Sequence, residues 1–113
     1  MDTKPDLASY RTIIERIITE YAQYPYSHGE IERQVVLDRE RDRYLLLSVG
    51  WNKRRVHYCV IHIDLINEKC WIQCDGTEDG VACDLEAAGI PKDRIVLAFK
   101  SPKIRPLTGY AVA

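Results

Sequence analysis

Hydrophobic and polar positions along this chain follow two different periods. In residues 6–24, apolar side chains recur every three or four positions, which is the period of one face of an amphipathic helix. Pro25 ends this predicted helix because its ring cannot continue the helical hydrogen bonds. From residue 31 onward, the pattern changes to short apolar runs rich in Val, Ile and Tyr, which are typical of strands. The pattern therefore predicts a long helix followed by a sheet.

Short polar turns separate the predicted strands and make neighbouring strands antiparallel. Polar residues at positions 39–42, 52–53 and 67–68 are the turns, and connections this short join antiparallel neighbours. The predicted strands are residues 31–38, 44–51, 54–66 and 69–74.

The C-terminal third is predicted to add a second helix and one further element. Residues 77–88 form the helix, with Thr77 as its N-cap and Gly89 at the end where a left-handed residue is favoured. Residues 95–99 form either a last strand or an apolar strap, and Pro102 and Pro106 keep the following segment extended.

These elements predict an α+β domain with an N-terminal amphipathic helix, an antiparallel β-meander sheet, a second short helix and a C-terminal strand or strap. At 113 residues, the chain has the length of one domain, so residues 1–113 are taken as a single unit. Both sheet faces carry apolar side chains: Leu45, Leu47, Val49 and Trp51 on one, Tyr44 and Leu46 on the other. Two helices can cover much of one sheet face. The other sheet face is therefore a candidate for self-association, unless the C-terminal segment folds over it.

Composition excludes membrane and disordered classes. The chain is 46% hydrophobic and 29% charged, and no apolar run approaches the roughly 20 residues that cross a bilayer. Residues 1–6 lack the apolar core of a secretory signal, so we expect a cytoplasmic location and reduced thiols.

Charge is segregated although the net charge is only −1. Residues 1–32 and 75–88 are mainly acidic, whereas residues 39–57 and 91–113 are mainly basic. Such blocks favour contact with a charged protein partner or with a second copy of the chain, because domains that bind duplex DNA are usually basic overall. The alternative is that the blocks are solvated faces of mixed sign.

The cysteines and histidines do not form a recognisable metal motif. Cys59, Cys70, Cys74 and Cys83 include no C-x-x-C, and His57 and His62 fall on opposite faces of a regular strand. We expect the cysteines to be packing thiols, with no metal and no cofactor.

One polar patch is the best candidate for chemistry. His62 and Asp64 share a strand face, and Gln73 and Asp75 are predicted to lie across from them on the next strand. A histidine beside two carboxylates suits acid–base or metal chemistry. It also suits a polar cluster that holds two strands in register, and the chain has no activated nucleophile or phosphate-binding loop.

Basic residues on loops are the better candidates for binding. Arg54 and Arg55 lie at a hairpin end, and Lys100, Lys103 and Arg105 lie on the proline-containing segment. They are suited to phosphates or to an acidic protein surface. Trp51 and Trp71 lie within apolar runs and are predicted to be core residues rather than base-stacking platforms.

An ordered series of short motifs runs through the chain: Gly50-Trp51, Arg54-Arg-Val-His57, Ile61-His-Ile-Asp64, Trp71-Ile-Gln73, Asp75-Gly-Thr-Glu78, Gly89-Ile-Pro-Lys-Asp93, Ile95-Val-Leu97 and residues 108–113. The series resembles that of the XisI family over nearly the whole chain. These are small cyanobacterial proteins named for control of the excision of a DNA element that interrupts the fdxN gene.

The resemblance implies a non-catalytic accessory role in site-specific DNA rearrangement by a separate recombinase, usually with a companion, the XisH protein. We therefore expect a XisH-type partner, a homo-oligomer and no membrane contact. Two alternatives are a DNA-binding excision cofactor and a metal-dependent hydrolase or nuclease subunit that uses His62, Asp64 and Asp75.

Overall fold

Five strands lie in one sheet in the order of the chain, flanked by two helices. The computed structural model describes residues 6–24 and 30–113. The elements are α1 (Leu7–Ala22), β1 (Glu30–Asp38), β2 (Arg43–Trp51), β3 (Arg55–Ile66), β4 (Lys69–Asp75), α2 (Val81–Ala87) and β5 (Ile95–Leu97), with 3-10 turns at Lys92–Arg94 and Arg105–Leu107. The predicted α+β fold class is confirmed. Pro25, the predicted end of α1, lies outside the described residues.

The sheet combines the predicted antiparallel meander with one parallel strand. Strands β1 to β4 pair with their neighbours in antiparallel orientation, through the turns that the sequence predicted. Strand β5 pairs with β4 in parallel orientation because the connection through α2 carries the chain back to the start of β4. Of the two alternatives for residues 95–99, the strand is the one that forms, over Ile95–Leu97. The prediction that Pro102 and Pro106 keep the next segment extended is wrong, because that segment forms turns and the 3-10 helix Arg105–Leu107.

The core lies between the helices and one side of the sheet, called here the helix face. Direct partners in antiparallel strands share a face, so the register places alternate side chains of β2 and, apart from one bulge, of β3 against α1. The bulge lies at Val60, so His57 and His62, which were predicted to fall on opposite faces of a regular strand, lie on the same face. Fully buried side chains of this core include Ile14, Ile18, Tyr44, Leu46, Ile61, Ile63, Ile72, Val81 and Leu85. The opposite side of the sheet is called the open face.

The turn between β1 and β2 is tied to α1 through one carboxylate. Asp42 accepts from Arg11 Nε at 2.8 Å, from Arg11 Nη2 at 3.1 Å and from the hydroxyl of buried Tyr44 at 2.9 Å. Hydrogen bonds from Arg11 hold the pKa of Asp42 below its ordinary value. Asp42 also has a φ of +55°, a conformation that Asp tolerates better than most residues. This side chain therefore fixes both the turn and the position of α1.

Helix α2 begins four residues later than predicted, and Thr77 does not cap it. The N-cap position is Gly80, whose φ is +89°. The side chain of Asp75 instead accepts from the backbone N–H of Val81 at 2.7 Å and from that of Thr77 at 2.9 Å. A carboxylate accepts these donors with its full charge, so Asp75 takes the role predicted for Thr77. The predicted glycine at the C-terminal end is present, since Gly89 has a φ of +111°.

The two tryptophans are not core residues, contrary to the prediction. Trp51 ends β2 on the open face and is 58% exposed. Trp71 is half-buried and donates from Nε1 to the carbonyl of Ile66 at 3.2 Å. Both were predicted to be buried because they follow apolar runs, but an apolar run does not show which sheet face a helix covers.

Candidate functional site

The polar patch on the open face centres on one buried carboxylate. Asp64 is only 5% exposed, and its Oδ1 lies 2.7 Å from His62 Nε2 and 3.5 Å from Arg43 Nε. Its Oδ2 accepts from Gln73 Nε2 at 3.3 Å. The predicted grouping of His62, Asp64 and Gln73 is therefore present.

Sequence reasoning missed the fourth member of this patch, Arg43. The sequence alone did not signal it, because Arg43 becomes the direct partner of Asp64 only through the register shift between Leu46 and Leu47. A buried carboxylate needs a compensating charge, and a guanidinium on the neighbouring strand supplies it. The arrangement holds β2, β3 and β4 together through polar contacts.

Asp75 lies apart from the patch because of a bulge in β4. The register shifts between His62 and Ile63, so that Asp75 pairs with Ile61, a residue of the helix face. One extra residue in a strand reverses the alternation of side chains beyond it. Asp75 consequently points to the start of α2, where it accepts from Thr77 and Val81.

This geometry limits the chemistry available to the patch. Both oxygens of Asp64 are already engaged by side chains of the protein itself. Among the residues that the structure describes, no three His, Cys, Asp or Glu side chains are grouped so as to hold a metal ion. The contacts are those of a cluster that keeps strands in register.

The predicted basic residues of the hairpin end are exposed. The predicted residues are Arg54 and Arg55; together with the neighbouring Lys53 they are called here the basic hairpin, and all three are exposed. The guanidinium carbon of Arg55 lies 5.5 Å from the centroid of the Trp51 ring, a cation–π contact at the end of the sheet. No ion pair among the described residues uses any of these three side chains, so their charges face solvent.

Arg105 has a different role from the two lysines near it. Lys100 and Lys103, called here the basic strap, are exposed. Arg105 is half-buried, and its guanidinium donates to the carbonyls of Lys100 at 3.0 Å, Ala98 at 3.2 Å and Val112 at 3.5 Å. It also stacks over Trp71, 5.6 Å from the ring centroid. Arg105 thus anchors the C-terminal segment on the sheet.

The structure places the basic hairpin and Arg105 at opposite ends of the sheet. Trp71, under Arg105, pairs with Asp64, which is nine positions along β3 from Arg55. At about 3.3 Å per residue, nine positions span roughly 30 Å. The predicted basic residues therefore form two separate surfaces rather than one.

The C-terminal segment covers only one side of the open face. Ala111 forms a bridge with Val96 at the edge of β5, and Ala111 N donates to the carbonyl of Ile95 at 2.9 Å. Together with Arg105 over Trp71, this contact covers the side of β4 and β5. Within residues 6–24 and 30–113, nothing covers the part formed by β1, β2 and the start of β3, and Trp51 and Val36 there are 58% and 43% exposed.

The four thiols differ in environment, which gives a testable order of reactivity. Cys83 is exposed, whereas Cys70 is fully buried. Burial raises the pKa of Cys70 to about 12, and burial together with the nearby Cys74 raises that of Cys59 to about 11.

We expect a thiol reagent at pH 8 to modify Cys83 first in the native protein. A pKa raised by about two units leaves roughly 100-fold less thiolate, so Cys59 and Cys70 should react only slowly. Mass spectrometry after brief treatment with N-ethylmaleimide measures the order, and protein unfolded in urea is the control in which all four react at similar rates. Rapid labelling of Cys70 in the native state would contradict the described core.

Among the described residues, neither helix has the length and apolar character required to cross a membrane.

Comparisons with known proteins agree on one family. The family model described as XisI protein matches residues 1–112. A crystal structure of a XisI-like protein from Anabaena variabilis is 36% identical, with a TM-score of 0.89, and the match covers 96% of this chain and 100% of that one. The fdxN element excision controlling factor XisI from the same organism is 34% identical, with a TM-score of 0.82, and the match covers 95% of this chain and 98% of that one. No curated protein matches. The chain belongs to the XisI family.

Proposed function

We propose that this protein is a non-catalytic accessory factor in the control of site-specific DNA excision, acting in the cytoplasm with a separate recombinase and a XisH-type partner protein. The observation that carries the proposal is the likeness, over 95% of the chain, to a solved fdxN element excision controlling factor. At 34% identity and a TM-score of 0.82, the two chains share their fold.

The non-catalytic part of the proposal is supported by the contacts of Asp64 and Asp75. A general acid or base needs an oxygen or nitrogen free to exchange a proton with a substrate. Asp64 is instead bonded by His62, Arg43 and Gln73, and Asp75 is bonded to the start of α2. These contacts give the carboxylates structural roles.

The partner surface is proposed to be Lys53 and Arg54 of the basic hairpin together with the basic strap. Their side chains are exposed on turns, where a partner can reach them without displacing a secondary-structure element. Exposed charges of one sign increase the association rate with an acidic protein surface and select against basic ones. Arg105 is excluded from this surface because its guanidinium is engaged in holding the C-terminal segment.

Removing charge from these surfaces should weaken binding of the partner. We expect Lys53→Gln with Arg54→Gln, or Lys100→Gln with Lys103→Gln, to raise the dissociation constant for the XisH-type protein roughly 5-fold, since each exposed charge pair contributes on the order of 0.5 kcal/mol. Calorimetric titration of the purified partner measures the change. The effect should shrink as salt is raised, because these contacts are solvent-exposed.

A matched control removes two charges elsewhere. Arg16 and Arg41 are 57% and 73% exposed, and both lie away from the two basic surfaces, on α1 and on the turn after β1. Arg16→Gln with Arg41→Gln should leave the affinity within about 2-fold of the wild type. Equal loss in this variant and in the surface variants would contradict the proposed surface.

The second candidate function is direct binding of DNA as an excision cofactor. The observation that favours it is the set of exposed cations on two turns, none of them in an ion pair among the described residues. Phosphate contacts release counterions, so affinity would fall steeply with salt. A mobility-shift titration with duplex DNA at several salt concentrations measures this dependence. The absence of a shift at about 50 mM salt would contradict direct DNA binding.

A further inference from the structure

The uncovered part of the open face consists of three columns of different chemical character. Glu30 and Glu32 form an acidic column on β1. The apolar column on β2 consists of Leu45, Leu47, Val49 and Trp51, and the basic column at the start of β3 consists of Arg55 and His57. The register puts Glu30, Trp51 and Arg55 in one row across the strands. Glu32, Val49 and His57 form the next row.

The charges of the two outer columns do not neutralise each other within the molecule. The backbones of Glu30 and Arg55 lie on either side of β2, two strand spacings or about 9.6 Å apart, and the Arg55 guanidinium lies over the intervening Trp51 ring. In the described part of the chain, no ion pair includes Glu30, Glu32 or Arg55. Between them, Trp51 leaves 58% of its surface exposed, which is a large apolar area for a solvated position.

We propose that a second copy of this chain docks on this face, with the two sheets face to face and the two-fold axis parallel to β2. Such an axis exchanges the two outer columns and returns the central column to itself. Each acidic column then lies over the basic column of the other copy, with Glu30 over Arg55 and Glu32 over His57. The apolar columns meet in the middle and bury Trp51, as in the aligned packing of two sheets.

The other two-fold arrangement of the same faces does not pair the outer columns. An axis perpendicular to the strands would lay β1 on β1 in the opposite direction, which brings the end at Glu30 onto the end at Asp38. Glu30 would then face a carboxylate of like charge instead of Arg55. Under the parallel axis, the row of Asp38, Arg43 and Asp64 at the far end of the face meets its own like charges, so the complementarity is confined to the rows of Glu30 and Glu32.

A second copy is the occupant because the pattern is complementary to itself. One face carries both signs of charge at similar distances from a central apolar column, which is what an isologous interface requires. The C-terminal segment, through Arg105 over Trp71, blocks the side of β4 and β5. The contact is thereby confined to the part of the sheet that carries the three columns.

A charge exchange tests this arrangement. Across the proposed axis, Glu30 of each copy faces Arg55 of the other, so Glu30→Arg or Arg55→Glu alone places like charges together. We expect wild-type protein to sediment as a dimer, and each single variant to raise the dimer dissociation constant at least roughly 10-fold in analytical ultracentrifugation. The double variant carrying both changes should return to within about 3-fold of the wild type.

Controls separate this interface from other outcomes. Arg41→Glu makes the same change of charge on an exposed turn outside the three columns and should leave the dimer intact. Circular dichroism establishes that each variant is folded. A wild type that is monomeric at all concentrations would overturn the proposal. A dimer whose dissociation constant is unchanged in the single variants would also overturn it, because a dimer formed through the edge of β1 leaves Arg55 free. Failure of the double variant to recover would likewise refute the pairing of Glu30 with Arg55.

Discussion

Replacing Arg105 with alanine is expected to lower the free energy of unfolding by roughly 2–3 kcal/mol, the largest loss from any of the predicted binding residues. The guanidinium donates to three backbone carbonyls of the C-terminal segment and stacks on Trp71. Alanine leaves those carbonyls without these donors and removes the cation–π contact, which is itself worth on the order of 1 kcal/mol. Urea denaturation followed by tryptophan fluorescence measures the loss.

Two further variants separate the structural role of Arg105 from its charge. Arg105→Lys keeps the charge, but an ammonium group neither spans three carbonyls nor stacks flat on an indole, so most of the loss should remain. Lys103→Ala, on the exposed neighbouring lysine, should change stability by less than about 0.5 kcal/mol. Normal stability of Arg105→Ala together with weakened partner binding would show that Arg105 belongs to the binding surface after all.

Asp42→Ala is expected to have a still larger effect on stability, on the order of 3–4 kcal/mol. The change removes the acceptor for Arg11 and for the hydroxyl of fully buried Tyr44, and it places alanine at a φ of +55°. Asp42→Asn retains an oxygen for Tyr44 and tolerates the left-handed conformation, so it should cost only about 1–2 kcal/mol. Equal losses in the two variants would show that backbone conformation contributes nothing at this position.

The contribution of Asp42 should also depend on pH. Its pKa in the folded protein is lower than its ordinary value of 3.8, chiefly because Arg11 donates to the carboxylate. Because the pKa is lowered by folding, the contribution of Asp42 to stability is complete at a pH above its ordinary pKa. The contribution is lost as the pH falls through the pKa of Asp42 in the folded protein. The stability difference between wild type and Asp42→Asn should therefore shrink from about pH 5 to about pH 2.5 in urea denaturation curves. A constant difference over this range would contradict the ion pair.

The helices and strands follow from periodicity and turn chemistry, and this part of the fold was predictable. The turns at residues 39–42, 52–53 and 67–68 fall where predicted, and the bounds of the first four strands agree within one residue. The start of α2 was not predictable in the same way. Thr77, three residues before Gly80, has the local signature of an N-cap. The acceptor for the first N–H of the helix, that of Val81, is instead the side chain of Asp75 at the end of β4.

The candidate site was predictable to the extent that it depends on strand alternation. His62, Asp64 and Gln73 meet because side chains two positions apart share a face and the neighbouring strand is antiparallel. The position of Asp75 depends on one bulge, which the sequence does not mark. Arg105 has the positive charge and the loop position expected of a binding residue. Only its hydrogen bonds to the carbonyls of Ala98 and Lys100 revealed its anchoring role.

The sequence by itself determined the family, the α+β elements and the separation of charge into blocks, because these depend on residue order and local periodicity. The tertiary structure decided which sheet face is covered and which charges remain unpaired. The exposed tryptophan at position 51 illustrates the reason: its neighbours along the chain are apolar, but Glu30 and Arg55 flank it across the sheet. Burial depends on what packs against a face, and that information lies in contacts between residues distant in sequence.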